Sequence, residues 1–269
     1  MRRLAVAAAA LTLFAAVAST AQAAGSLHVN ALDDSRFPLV SLTVAAPTGG
    51  HGHGTPRFGV TENGSAVSGL TVGDPNQGAA IALVLDASQS MRGQPETNAT
   101  NAASDFASRM RPQDQMSVYA VGPQAQSEQA LTSDPTQITA ALHQIGVGSQ
   151  PGTALFAGVT QAVAELATNN SAGRRAVILL TDGQNTKRSP SLGDAVSAAR
   201  KDGVAVYVIG LHSAQYDPAP LRTLAQSTGG RLFETAGGTG VKAVYAQIGQ
   251  DIRSTYRLQY ESPTTGGAV

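Results

Sequence analysis

The sequence Asp86-Ala87-Ser88-Gln89-Ser90 gathers one carboxylate and two hydroxyls within five residues, directly after the apolar run Ile81 to Leu85. Oxygen donors of this kind suit hard cations. Magnesium takes six oxygens in near-octahedral geometry and gives up its waters reluctantly, so protein oxygens share its shell with solvent. Further along, Thr153 follows Gly152 ahead of an apolar helical stretch, and Asp182 lies in Thr181-Asp182-Gly183 after the run Ala176 to Leu180. Ser88, Ser90 and Thr153 offer neutral hydroxyl oxygens, while Asp86 and Asp182 bring negative charge. The same residue types have a plainer use, because serines cap helices and aspartate before glycine is common turn chemistry.

Other chemistries lack their residues. An aspartyl-phosphate enzyme of similar topology would carry a second aspartate where Ser88 stands. There is no glycine-flanked nucleophile elbow, phosphate-binding glycine loop or His-Glu-x-x-His helix. His51 and His53 lie in the glycine-rich stretch Thr48 to Thr55, and two imidazoles without further ligands make a poor transition-metal site. His28, His143 and His212 are isolated. Met91 reads as a buried plug. Lys187 and Arg188, shortly after Asp182, are candidates for a rim, and Gln89, Gln150, Gln184 and Tyr216 for loop surface that selects a partner.

The elements that must position these loops are legible from periodicity. Ile81 to Leu85, Met116 to Val121, Ala176 to Leu180, Val204 to Ile209 and Arg231 to Glu234 read as strands, several of them continuous apolar runs as expected of parallel strands covered on both faces. Between them the period turns helical: Ala99, Ala103, Phe106 and Met110; Leu155, Val159, Ala162 and Leu166; Val241, Val244, Tyr245, Ile248 and Ile252. The alternation predicts an α/β fold with a doubly wound, mostly parallel sheet, whose ligands sit at the carboxyl ends of the strands near a topological switch point.

Residues 26 to 77 differ, being short, strand-like and rich in turns. Leu39, Leu42 and Val44 lie in a β-prone run, and Asn63-Gly64 separates Arg57 to Glu62 from Ser65 to Val72, a strong hairpin signal because both central residues of that turn need positive φ. About 50 residues hold such a module together poorly on their own. Tyr256, Leu258 and Tyr260 alternate with Arg257, Gln259 and Glu261, the period of a half-exposed strand. The expected organisation is a leader at 1–23, a small β-sandwich-like module at 26–77, the α/β domain at 78–253, and a C-terminal segment at 254–269 whose strand completes the module.

Asp-x-Ser-x-Ser at the end of a buried first strand resembles the opening motif of the metal-ion-dependent adhesion site of von Willebrand factor A domains. Gly152-Thr153 before Ala154 to Ala167 is similar to that family's second element, and Thr181-Asp182-Gly183 to its third, in the same order along the chain. The resemblance covers Ala79 to Arg253 without departure at the five positions. It implies that Ser88 and Ser90 bind Mg2+ or Mn2+ directly, that Asp86 and Asp182 act largely through water, and that Thr153 joins or leaves with the state of its loop. An ion short of direct anionic ligands favours one more carboxylate, so the implied partner is a protein supplying an aspartate or glutamate.

Arg2 and Arg3, the apolar run Leu4 to Val17 and the small-residue sequence Ala21-Gln22-Ala23 have the outline of a secretory leader cleaved after Ala23, so the chain is expected outside the cytoplasm, secreted or in a bacterial cell envelope. Removing those two arginines from 18 basic against 18 acidic residues leaves a formal charge of −2, which disfavours nucleic acid as a partner. Cysteine is absent, so stability must come from a buried core rather than disulfides. No segment after the leader is apolar enough for a transmembrane span. The expected function is metal-dependent protein binding or adhesion without catalysis; the alternatives are a scaffold subunit of an envelope or secretion machine, and a metal-dependent hydrolase.

Overall fold

The structure, a computed structural model, describes residues 11–16, 28–45, 57–73, 77–169, 172–214, 216–236 and 239–263. The sequences Ala21-Gln22-Ala23 and Thr48 to Thr55, the latter with His51 and His53, lie outside these residues. The chain divides into two compact units, Met1–Pro75 with Ser254–Val269, and Asn76–Arg253.

The smaller unit begins with β1 (Leu11–Ala16), β2 (His28–Arg36), β3 (Leu39–Ala45), β4 (Arg57–Glu62), β5 (Ser65–Ala66) and β6 (Thr71–Val72). The larger follows with β7 (Ala79–Asp86), α1 (Gln94–Ala107), β8 (Gln115–Val121), β9 (Ala125–Thr132), α2 (Pro135–Gln144), α3 (Leu155–Thr168), β10 (Arg174–Thr181), α4 (Leu192–Asp202), β11 (Val204–Leu211), α5 (Pro218–Ser227), β12 (Leu232–Thr235) and α6 (Thr239–Ser254). The chain then returns to the smaller unit with β13 (Thr255–Glu261).

The larger unit is a six-stranded sheet in the order β12-β11-β10-β7-β8-β9, parallel except for the antiparallel edge strand β9. β7 is buried along its whole length because both faces are covered. Ile81, Leu83 and Leu85 pack on one side with α1, α2 and α6, while Ala80, Ala82 and Val84 pack on the other with α3, α4 and α5. Alternation of side chains along a strand makes the two layers unavoidable once the run is apolar throughout. The chain steps from β7 to β8 on one flank and returns through α3 to β10 on the other. That reversal is the switch point, and it leaves a crevice where the ends of β7 and β10 meet their loops.

The helical periods in the sequence mark α1, α3 and α6; the structure has further helices at α2, α4 and α5. Their apolar stripes are thin and rich in alanine, but each has a cap. Asp134 and Asp217 accept hydrogen bonds from backbone amides two residues on, each just before a proline at the first helical position. Ser191 and Asp194 form a reciprocal capping box. β9 also escaped the period reading, because this edge strand is mostly exposed and polar.

In the smaller unit one sheet has the order β1-β4-β5 and the other β2-β3-β13-β6. Asn63 and Gly64 take φ of 50° and 80°, as the tight turn between β4 and β5 requires. Ser65 to Val72 is not one strand, as the sequence suggested. Ser65 and Ala66 pair with β4, whereas Thr71 and Val72 pair with β13, because β13 offers Leu258 and Gln259 an edge to share. β13 also runs antiparallel to β3, from Thr255 opposite Ala45 to Glu261 opposite Leu39. Val40, Leu42, Val44, Val60, Tyr256, Leu258 and Tyr260 form one buried cluster, with the Phe58 and Tyr256 rings 5.0 Å apart. The C-terminal strand thus completes a small β-sandwich-like module. Part of the run read as a leader, Leu11–Ala16, is β1, paired antiparallel with β4.

Candidate metal site

The crevice at the switch point receives three loops. The first leaves β7 at Asp86, which is 4% exposed, and turns through Ser88 into the single helical turn Gln89–Met91. Met91 is 1% exposed and packs in the core beneath, anchoring that turn. The second loop carries Thr153 into α3, and the third carries Asp182 out of β10.

A continuous hydrogen-bond chain joins the first and third loops. Asp86 Oδ1 accepts from the Ser88 amide at 2.9 Å, and Asp86 Oδ2 accepts from the Thr181 hydroxyl at 2.6 Å. The Ser88 and Ser90 hydroxyls lie 3.1 Å apart, and Ser90 donates to Asp182 Oδ1 at 2.7 Å. Four of the five expected residues therefore sit in one bonded group. Thr153, buried at 6%, is held by the loop after Asp182. Its amide donates to Thr186 Oγ1 at 2.8 Å, and its carbonyl accepts from the Thr186 amide at 2.9 Å. Asn185 Oδ1 accepts from the Phe156 amide at 3.2 Å, fixing the start of α3 to the same loop. Gly148 donates to the Ala87 carbonyl at 3.0 Å, which ties the Thr153 loop to the first loop as well.

Burial dominates the electrostatics. Asp86 is pushed above the ordinary carboxylate range by desolvation, against the lowering effect of its hydrogen bonds from Ser88 and Thr181, with the nearby Asp182 charge adding to the rise. Desolvation likewise raises Asp182, opposed by the Ser90 hydroxyl. Two buried carboxylates and clustered hydroxyls form a donor set that a divalent ion would compensate, so the residues present fit one. Both Asp86 oxygens already accept protein hydrogen bonds, which suits a backing role rather than direct ligation. Among the described residues no group of three or more His, Cys, Asp or Glu could hold a metal.

The sequence does not single out Thr181, Asn185, Thr186 or Ser213, the last of which donates to the Asp182 carbonyl. Thr181 lay within the Thr-Asp-Gly pattern; the bracing by Asn185 and Thr186 has no local signal. Of the expected surface residues, Gln89, Gln150, Gln184, Lys187 and Arg188 are exposed. Tyr216 is not free surface: it is half-buried against the sheet, with its ring tilted against that of His212 at 5.6 Å between ring centres. Among the described residues no helix is long and apolar enough to cross a membrane.

The family model for the von Willebrand factor type A domain matches residues 80–247. None of the curated proteins matches this chain. Proximal thread matrix protein 1 from the mussel byssus, in a structure with a zinc-occupied MIDAS motif, is similar in fold at a TM-score of 0.62 and 23% identity, over 71% of this chain and 50% of that one. This chain thus covers about half the length of that relative. A von Willebrand factor type A protein from Catenulispora acidiphila matches at a TM-score of 0.60 and 16% identity, over 88% of this chain and 48% of its own. An aerotolerance-related membrane protein from Bacteroides fragilis gives a TM-score of 0.56 and 20% identity, over 65% and 98%. Divalent metal binding occurs in this family, and its domains mediate protein–protein interaction. The match spans the sheet from β7 to α6 and all three loops of the crevice, and this chain accordingly belongs to the von Willebrand factor type A family.

Proposed function

We propose that the chain is an exported protein-binding module whose grip depends on Mg2+ or Mn2+ at the β7–β10 crevice and which performs no catalysis. The observation that carries this reading is the bonded group Asp86–Ser88–Ser90–Asp182. Ser88, Ser90 and Thr153 hold the cation with neutral oxygens, while Asp86 and Asp182 supply charge from behind. When bound, the ion offers an electrophilic position to one further carboxylate oxygen, from an aspartate or glutamate of a partner protein. The leader-like Arg2 to Ala23 supports export to the cell envelope or beyond.

The test is capture of partners from the producing cell's envelope, with Mg2+ and with chelator, by wild type and by Thr153→Ala. Thr153→Ala removes one hydroxyl while Asp86, Ser88 and Ser90 remain, so partner binding should fall much more than metal binding. A complex that survives chelator, or that forms normally without the Thr153 hydroxyl, would replace this reading with a scaffold that docks its neighbours without the ion.

A further inference from the structure

Lys187 sits against the Thr153 loop. A Cβ built on Gly152 would lie 3.4 Å from Lys187 Nζ and 3.5 Å from its Cε, so the ammonium rests over the residue just before the site threonine. Gly152 has φ of 113°, a conformation that favours glycine, and the lysine lies at contact distance from where its side chain would begin. The position is braced on both sides, by the bonds from the Thr153 amide to Thr186 Oγ1 and from the Thr186 amide to the Thr153 carbonyl, and by the Asn185 side-chain amide, which donates to the Lys187 carbonyl. Arg109, Arg111, Arg222, Arg231 and Lys242 all have carboxylate partners, whereas Lys187 has none among the described residues and is exposed. The three loops around the crevice, residues 87–93, 146–153 and 183–190, contain Arg92, Lys187 and Arg188 and no aspartate or glutamate; the acidic residues Asp86 and Asp182, which precede the first and the last, are buried. In a chain of zero net charge, the rim of this site is cationic.

We propose that Lys187 is a specificity residue that selects an acidic segment with two carboxylates, the first directed to the metal site and the second to the Lys187 ammonium. This inference rests on the metal-bridged reading above. A lone carboxylate satisfies the crevice but leaves Lys187 solvated; a second, within a few residues of the first, meets a cation whose backbone is already held in place. Charges at such a rim discriminate between partners more than they add raw affinity.

The probe is a neutral Gly/Ser peptide carrying one aspartate, compared with the same peptide bearing a second aspartate one, two or three positions further on. Binding to the full chain is measured by fluorescence anisotropy at low salt with excess Mg2+ and with chelator. In wild type one of the two-acid peptides should bind about fourfold more tightly than the one-acid peptide. Lys187→Gln should erase that gain, leaving Mg2+ affinity and one-acid binding unchanged, and Arg188→Gln should keep it. Lys187→Glu should instead favour a peptide with lysine at the second position. A one-acid peptide that binds in Mg2+ while the second acid adds nothing, or a gain that survives Lys187→Gln, would overturn the role of Lys187 and leave the metal bridge standing. Equal binding of the one-acid peptide in Mg2+ and chelator would overturn the metal bridge, and this inference with it.

Discussion

The Thr181 hydroxyl donates to Asp86 Oδ2 at 2.6 Å, joining the ends of the neighbouring parallel strands β10 and β7 across the floor of the crevice. Both groups are buried, and the bond fixes the carboxylate that also orders the Ser88 amide. Thr181→Val keeps the shape and removes the donor. Leaving a buried acceptor short of its partner costs about 1–3 kcal/mol. Urea unfolding should show a loss in that range, with weaker Mg2+ binding in titration; unchanged metal affinity would mean that Asp86 does not need this anchor.

At the opposite end of β7, Asp114 accepts from the Ala79 amide at 2.9 Å and from Arg111 through paired bonds. Burial works against its charge, but the Arg111 and Ala79 hydrogen bonds outweigh it and hold the carboxyl below its ordinary value. A depressed folded value contributes stability above the unfolded pKa of about 3.9, and that contribution is lost as pH falls through the lower folded value. Asp114→Asn should therefore be less stable than wild type at pH 7, by about 1–3 kcal/mol. The gap should narrow as pH falls below the unfolded value and through the lowered folded one. Denaturation midpoints across pH test this, and a gap independent of pH would show that the charge of Asp114 contributes nothing.

The expected export and the observed β1 bear on one another. Cleavage after Ala23 removes Leu11–Ala16, and with it the strand paired to β4. N-terminal sequencing of protein recovered outside the producing cell should begin at Ala24. Amide exchange within Arg57–Glu62 should then be faster in the cleaved chain than in the full-length one. Recovery of exported protein that retains residues 1–23 would contradict the leader.

The parallel strands were legible because burial on both faces demands continuous apolar runs, and Ile81 to Leu85 or Ala176 to Leu180 can be little else. The closing strand was legible for a related reason, since Tyr256, Leu258 and Tyr260 alternate and all three are buried. β9 was not, because an exposed edge imposes no such pattern on Ala125–Thr132. α4 announces itself by Ser191 and Asp194 rather than by an apolar stripe, so a reading that sought stripes passed over it. At the site, the resemblance to the family's three-part motif singled out Asp86, Ser88, Ser90, Thr153 and Asp182, and the fold brings their loops to one crevice. The brace from Thr186 to Thr153 joins residues 33 apart in sequence, and only the fold brings them together.

A divalent cation held by these loops is detected by calorimetric titration of Mg2+ into the metal-free chain, paired with thermal melts. A cation that binds only the folded chain raises stability by about 2.7 kcal/mol at 100-fold over its dissociation constant. Wild type should bind one ion and melt higher with Mg2+ than with chelator. Asp86→Ala should lose both effects. So should Ser90→Ala, which removes the hydroxyl of a surface residue and leaves the buried Asp86–Thr181 bond in place. Titration heats and melting shifts equal in wild type and both variants would contradict the account, placing the ion elsewhere or nowhere on this chain.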